Sequence, residues 1–109
     1  MTPAQQLWID DLRPAPEGWL WAKTPGEAIA ILSSPDYDIR IISFDHDLGL
    51  DDQGKAMTSE PVVDWIELRA ARGEGPRIEW AIHSMNPEGR RYLELGLLSC
   101  NRFWNLHNK

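Results

Sequence analysis

The sequence predicts a one-domain α/β protein with a largely parallel sheet and helices packed on it, and three observations lead there. Short apolar runs alternate along the chain with stretches at helical spacing. Three of these runs end in ionisable or polar residues: Ile9-Asp10-Asp11, Phe44-Asp45-His46-Asp47 and Ile82-His83-Ser84. The length of 109 residues supports one hydrophobic core and leaves little room for a second, so residues 1–109 are read as a single domain.

Gln6-Leu7-Trp8-Ile9 is short and apolar and runs into an acid pair, which reads as a buried strand. Arg13-Pro14-Ala15-Pro16-Glu17-Gly18 is loop chemistry, and Trp19 to Ala22 then reads as extended. The connection between these two strands is shorter than a parallel crossover normally takes, so the place of the second in the sheet is open. Thr24-Pro25-Gly26-Glu27 supplies an N-cap, a first-turn proline and an acid three residues after the cap, and starts a helix that ends at Ser33-Ser34-Pro35. Ile39 to Phe44, apolar and β-branched, reads as the central strand. Asp45 to Met57 is a polar, glycine-bearing loop, and Thr58-Ser59-Glu60-Pro61 opens a second helix that ends near Arg72-Gly73. Ile78 to Ile82 is another strand, and Asn86-Pro87-Glu88 starts a third helix that runs to about Ser99. The tail from Asn101 to Lys109 holds Phe103, Trp104 and Leu106, and reads as a last strand or as a segment docked on the core.

Apolar residues at 42% and charged residues at 26% exclude a disordered tail or a disulfide-dense miniature. The single cysteine, Cys100, has no internal partner and reads as core, which favours a reducing compartment. The start lacks the pattern of a signal peptide and no run is long enough to span a membrane, so the expected location is the cytoplasm. A net charge of -6 argues against duplex DNA and other large nucleic acids as ligands. Six tryptophans in so short a chain raise a base-stacking platform, but core packing is the expected role, with Trp8 and Trp80 in strands and Trp65 in a helix.

Parallel strands place their carboxyl ends on one edge, where open α/β sheets bind ligands near helix N-termini. Asp10, Asp11, Asp45, His46, Asp47 and His83 therefore converge on one crevice. Alternation along a strand sends Asp45 and His46 in opposite directions, so four or five of the six are expected to line it. Each has a structural reading too: Asp10 or Asp11 as a turn cap, His46 as a loop histidine, Asp47 in an Asx turn. Clustered carboxylates call for positive charge, and two schemes supply it: Mg²⁺ or a similar hard cation on the aspartates, or the two histidines as an acid and a base. Arg13, and Arg90 with Arg91 in the third helix, are placed to grip phosphate or to lie on a solvated face. His107 receives no role.

Trp8-Ile9-Asp10-Asp11-Leu12-Arg13-Pro14, Ile42-Ser43-Phe44-Asp45-His46-Asp47-Leu48-Gly49 and His83-Ser84-Met85-Asn86-Pro87-Glu88-Gly89-Arg90 together resemble the cyclic-phosphate processing receiver-like domains. The resemblance covers most of the chain. It implies a receiver-like (flavodoxin-like) three-layer sandwich, a short sheet of four to five strands with helices on both faces. It also implies an activity on cyclic phosphates, with Asp10, Asp11 and Asp45 at the metal-binding places of a receiver and Asp45 at the phosphoacceptor place. The chain departs from receivers in lacking a helix between Asp11 and Trp19 and a lysine after a fifth strand. It departs from the cyclic-phosphate domains at Met57-Thr58-Ser59-Glu60-Pro61, where they tend to have Thr-Gly and an apolar run.

The expected function is a phosphoesterase that opens a cyclic phosphate on a small phosphorylated substrate, a nucleotide or an RNA end. His46 and His83 are its expected acid-base pair beside Asp45. Asp10, Asp11, Asp45 and Asp47 are the expected holders of a divalent cation, Mg²⁺ first, and Ser84, Arg13 and Arg90 the expected phosphate contacts. The alternative is a noncatalytic receiver-like module whose acidic edge binds a protein or a nucleotide. A histidine pair beside metal-type carboxylates favours the enzyme.

Overall fold

The computed structural model describes residues 3–107. The elements run β1 (Ala4–Ile9), β2 (Leu20–Ala22), α1 (Pro25–Ser33), β3 (Asp38–Phe44), β4 (Asp47–Leu50), β5 (Ala56–Thr58), α2 (Glu60–Ala71), β6 (Glu79–Ile82) and α3 (Pro87–His107). Four strands form a parallel sheet in the order β2-β1-β3-β6, which gives the weakly placed second strand an edge position beside β1. β4 and β5 pair antiparallel as a separate ribbon, inside what reads from sequence as a loop.

Local chemistry sets the helix starts. Thr24 Oγ1 accepts the Glu27 amide at 3.1 Å while the Glu27 carboxylate accepts the Lys23 amide at 2.8 Å, a reciprocal cap that fixes α1. In α3, Asn86 Oδ1 accepts the Gly89 amide at 3.1 Å. This helix does not stop near Ser99. Leu93, Leu97, Cys100 and Trp104 are buried at a spacing of four, three and four, and no glycine or proline follows Gly96, so the tail continues as helix through His107. It docks on the core through Trp104 and forms no strand; Asn108 and Lys109 lie outside the described residues.

The α/β class and the parallel sheet of four strands, with three helices, agree with a receiver-like fold. The layering is simpler than helices on both faces. Leu7, Ile9, Ile42 and Phe44 point to one side and are fully buried, in one cluster with Ala28 of α1, Val62, Val63 and Ile66 of α2, and Leu93 and Leu97 of α3. On the other side, β1 and β6 are less covered, with Trp8 partly buried and Glu79 and Ala81 exposed. The cause is the short connection from β1 to β2, which holds no helix. The two crossovers through α1 and α2 both proceed from the β2 edge toward β6, and right-handed connections running the same way put their helices on the same face.

β3 carries one irregularity. Gln5 pairs with Ile39 but Gln6 pairs with Ile41, so Arg40 is an extra residue in that strand, after which the register is regular to Ile9 and Phe44. Cys100 is on the buried face of α3, where burial pushes its thiol up to about 12. It is therefore expected to resist a thiol-specific disulfide reagent at pH 8 in the native protein and to react fully once the chain is unfolded; rapid native labelling would contradict this packing. Among the described residues, no helix is long and apolar enough to cross a membrane.

Candidate functional site

The parallel ladder extends one residue past the strands. Asp10 N–H donates to Ala22 O at 3.1 Å, Asp45 N–H to Ile9 O at 2.9 Å and His83 N–H to Phe44 O at 2.9 Å. Asp10, Asp45 and His83 thus stand side by side, and each offers an atom within 4.8 Å of the others. By alternation they share the sheet side of Trp8 and Ser43, the side without helices.

Asp10 is 1% exposed and its carboxylate is fully engaged. Oδ1 accepts the amides of Leu12 and Arg13, each at 2.9 Å, and Oδ2 accepts Arg13 Nε at 2.9 Å and His83 Nε2 at 3.0 Å. Burial opposes its charge, but the two amides, His83 and the guanidinium outweigh burial and hold the carboxyl below its usual range. Since Asp10 can only accept, His83 Nε2 carries a proton, and Nδ1 of the neutral ring accepts the Ser43 hydroxyl at 2.7 Å. The ring lies flat on Trp8, with centroids 3.9 Å apart and planes within 5°. Burial lowers the His83 pKa, the Asp10 hydrogen bond raises it and Arg13 lowers it, with a net value below that of a free imidazole.

Asp45 differs. Oδ1 accepts the His46 amide at 2.9 Å, whereas Oδ2 accepts no hydrogen bond among the described residues and faces Arg13 Nη2 at 3.7 Å. Burial and the negative charge of Asp10 raise its pKa against the opposing pull of the His46 amide, His83 and Arg13. Arg13 reaches across the row, and its Nη2 also donates to His83 O at 3.1 Å.

His46 points to the helix-covered side. Nδ1 meets Asp47 Oδ1 at 3.0 Å and Nε2 meets Glu60 Oε2 at 2.6 Å. Two acceptor-only partners require both nitrogens to be protonated, so the ring is an imidazolium. Burial lowers its pKa, but Glu60 and Asp47 raise it further, and the net shift is upward. The hydrogen bond from His46 in turn holds Asp47 below the usual carboxylate range, with burial opposing and Asn86 assisting. The structure therefore does not bring His46 and His83 together as a pair; strand alternation puts them on opposite sides of the sheet. Because the His46 pKa is raised above its ordinary 6.5, its stabilisation is complete below that pH and is lost as pH rises through the folded value. His46→Gln is expected to cost more stability at pH 6 than at pH 9 in urea melts. Equal costs would mean that the folded ring is neutral.

Asp11, Leu12, Arg13, Asp45, Asp47, Gly49, Ser84, Met85 and Asn86 line a cleft of about 370 Å³ at this edge. The turn that follows β3 is anchored by Ser59, whose hydroxyl donates to Asp45 O at 2.6 Å and whose amide donates to His46 O at 2.9 Å. Gly49 has φ +78°, and a Cβ there would lie 2.9 Å from Asp11 Oδ2, so glycine admits the Asp11 carboxylate. Asn86 Nδ2 donates to Asp47 Oδ2 at 3.2 Å, tying the β6–α3 loop to the β4–β5 ribbon. Ser84 lines the cleft, and its Oγ accepts the Asn86 amide at 3.1 Å. Arg90 does not line it: Nη1 donates to Ile82 O at 2.9 Å and Ser84 O at 3.3 Å and so braces the loop from behind.

Of the four expected metal ligands, Asp10 and Asp45 stand in the close cluster with His83, while Asp11 and Asp47 lie along the cleft. Asp10 has no free lone-pair direction. Asp45 has an unbonded oxygen, and Asp11 and Asp47 add carboxylates, the donor type of a hard cation, along the same cleft; the group close enough to share one ion is Asp10, Asp45 and His83. Ser43, Ser59, Glu60 and Asn86 were not identified from sequence. A lone serine in a buried strand, Ser43, was the one available signal.

A parallel sheet whose carboxyl edge carries this acidic row defines a receiver-like α/β domain. Residues 5–99 match the family described as the cyclic-phosphate processing receiver domain, and the chain belongs to that family. No curated protein and no solved structure matched it.

Proposed function

We propose that this domain hydrolyses cyclic phosphates, with Asp45 as the group that meets the reacting centre. The observation that carries this reading is the unbonded Asp45 Oδ2, facing the cleft with a raised pKa beside Arg13. A carboxylate made more basic by its surroundings is suited to take a proton from water. The water oxygen then bonds to phosphorus, the endocyclic P–O bond breaks, and the departing alkoxide takes its proton from solvent or from Asp45 itself. Arg13 offsets charge on the phosphoryl oxygens, and Ser84 with the first turn of α3 provides a further polar wall. His83, held by Ser43 and Asp10, keeps the acidic row in place. A hard cation at Asp45 would add neutralisation of phosphoryl charge.

The assay is ring opening of 2′,3′-cyclic nucleotides and of a cyclic-phosphate-ended oligonucleotide, followed by chromatography with and without Mg²⁺ or Mn²⁺. Turnover by the wild type that falls on the order of 10² in Asp45→Asn supports the reading. A second reading, a binding module, is favoured by the complete hydrogen bonding of Asp10 and His83, which describes a finished recognition surface. Saturable binding of the same ligands without ring opening under any condition would establish it.

A further inference from the structure

The side of the sheet without helices is aromatic where it meets the acidic row. Trp8 of β1 pairs with Trp21 of β2 in register, and Trp19 packs edge-on against Trp8 with centroids 6.0 Å apart. Trp65, Trp80 and Trp104 pack in or against the main core; these three do not, contrary to the core role expected for Trp8. Trp21 is 36% exposed, and Leu12 and Met85, both lining the cleft, are 81% and 86% exposed.

This surface is continuous with the site. The Trp8 ring covers His83, and Trp21 Nε1–H donates to Asp10 O at 2.7 Å. Cations stand at the junction: Lys23 Nζ lies 4.4 Å from the centre of the Trp21 ring, and Arg13 spans Asp10 and Asp45. We propose that Trp21, flanked by Trp8 and Trp19, stacks the nucleobase of a substrate whose phosphate occupies the cleft. This rests on the phosphate reading above and narrows the substrate to nucleotides or exposed nucleic-acid ends. The choice of occupant follows from charge. A ligand that is flat, apolar on its faces and anionic at one end complements an indole beside Arg13 and Lys23. A second copy of a chain with net charge -6 would bring like charge to the same edge. Stacking is tolerant of base identity, because every base has a π-face, so adenosine and uridine ligands should both bind.

The test compares adenosine 2′,3′-cyclic phosphate with a base-free cyclic phosphate, methyl riboside 2′,3′-cyclic phosphate, by calorimetry and by the indole N–H signals in NMR. The wild type should bind the adenosine compound about tenfold or more tightly than the base-free one. Trp21→Leu should erase that preference, while Trp21→Phe, which loses the same bond to Asp10 O but keeps a ring, should retain most of it. Equal affinities in the wild type overturn the platform and leave the phosphate reading standing. If neither cyclic phosphate binds, the phosphate reading fails, and adenosine alone then decides the platform: no shift of the Trp21 signal at millimolar adenosine overturns it too. Indole shifts that grow with protein concentration in the absence of ligand would assign the face to a second copy and also overturn it.

Discussion

Asp45→Asn is expected to lower ring opening by about 10²-fold or more while making the folded protein more stable. Asparagine keeps an oxygen for the His46 amide and removes the charge that burial and Asp10 disfavour. The sign follows from linkage. A carboxyl whose folded pKa is raised contributes stability below its unfolded value of 3.8, and that contribution is lost as pH rises through the folded value. At pH 7 the charge is therefore a cost that asparagine does not carry. The gain should be about 0.5–2 kcal/mol, the usual range when a site residue held against its preference is relieved. At pH 3, where aspartic acid is also neutral, the gain should vanish. Denaturant melts at the two pH values and the ring-opening assay decide the matter together. A variant that loses activity and stability in parallel would make Asp45 a structural residue.

Gly89→Ala has the second large effect, and its sign is opposite to the ordinary one. Replacing an interior helical glycine by alanine normally stabilises by up to about 1 kcal/mol. Here the added Cβ would lie 2.5 Å from His46 Nδ1 and 2.8 Å from His46 Cβ. The ring cannot retreat, because Asp47 and Glu60 hold it from two directions. The expected cost is about 3 kcal/mol, at the upper end for overpacking, with a fall in Tm of about 13 °C. His46→Ala in the same background removes the ring but keeps the Cβ 2.8 Å away, so the double variant should recover part, not all, of the cost of alanine at 89. Thermal melts of the four proteins in that cycle measure the coupling. A Gly89→Ala protein as stable as wild type would mean that α3 does not rest on the His46 ring.

Local signals carried the elements where one short segment decides the outcome. Thr24-Pro25-Gly26-Glu27 names its own cap, and α1 begins at Pro25. The run Ile39 to Phe44 was readable because its residues suit a strand covered by neighbours, and β3 indeed lies between β1 and β6. The end of α3 was not readable by composition, since Phe103, Trp104 and Leu106 suit a strand as well as a helix; the spacing from Leu93 to Trp104 was the better guide. The β4–β5 ribbon was missed because Asp47–Leu50 and Ala56–Thr58 are only four and three residues long, without a β-branched run, and are held by pairing with each other and by the burial of Leu48.

The site was legible as a list and less so as an arrangement. Three decorated strand ends located Asp10, Asp45 and His83, and the period-two rule already separated Asp45 from His46. Which nitrogen faces which oxygen depends on partners far away in sequence. Glu60 reaches His46 from α2, and Ser43 reaches His83 from the neighbouring strand, contacts across 14 and 40 positions. Trp8 was misjudged for a related reason: being in a strand says that a side chain faces one side of a sheet, but not whether anything covers that side.

The extra residue at Arg40 has a consequence for how this chain can vary. Ile39 and Ile42 are three positions apart yet both face the core, because the bulge resets the phase between them. The half of β3 that leads into Asp45 and His46 is thereby uncoupled from the half that begins at Asp38. A residue gained or lost around the turn between α1 and β3 can be taken up at this slack point, as a clutch takes up a slipping shaft, without exchanging the carboxylate and the imidazolium between the two sides of the sheet. Past Ile41 no such slack exists. A one-residue change there would turn the pair over, so the length of the chain from Ile41 to His46 is itself part of the chemistry.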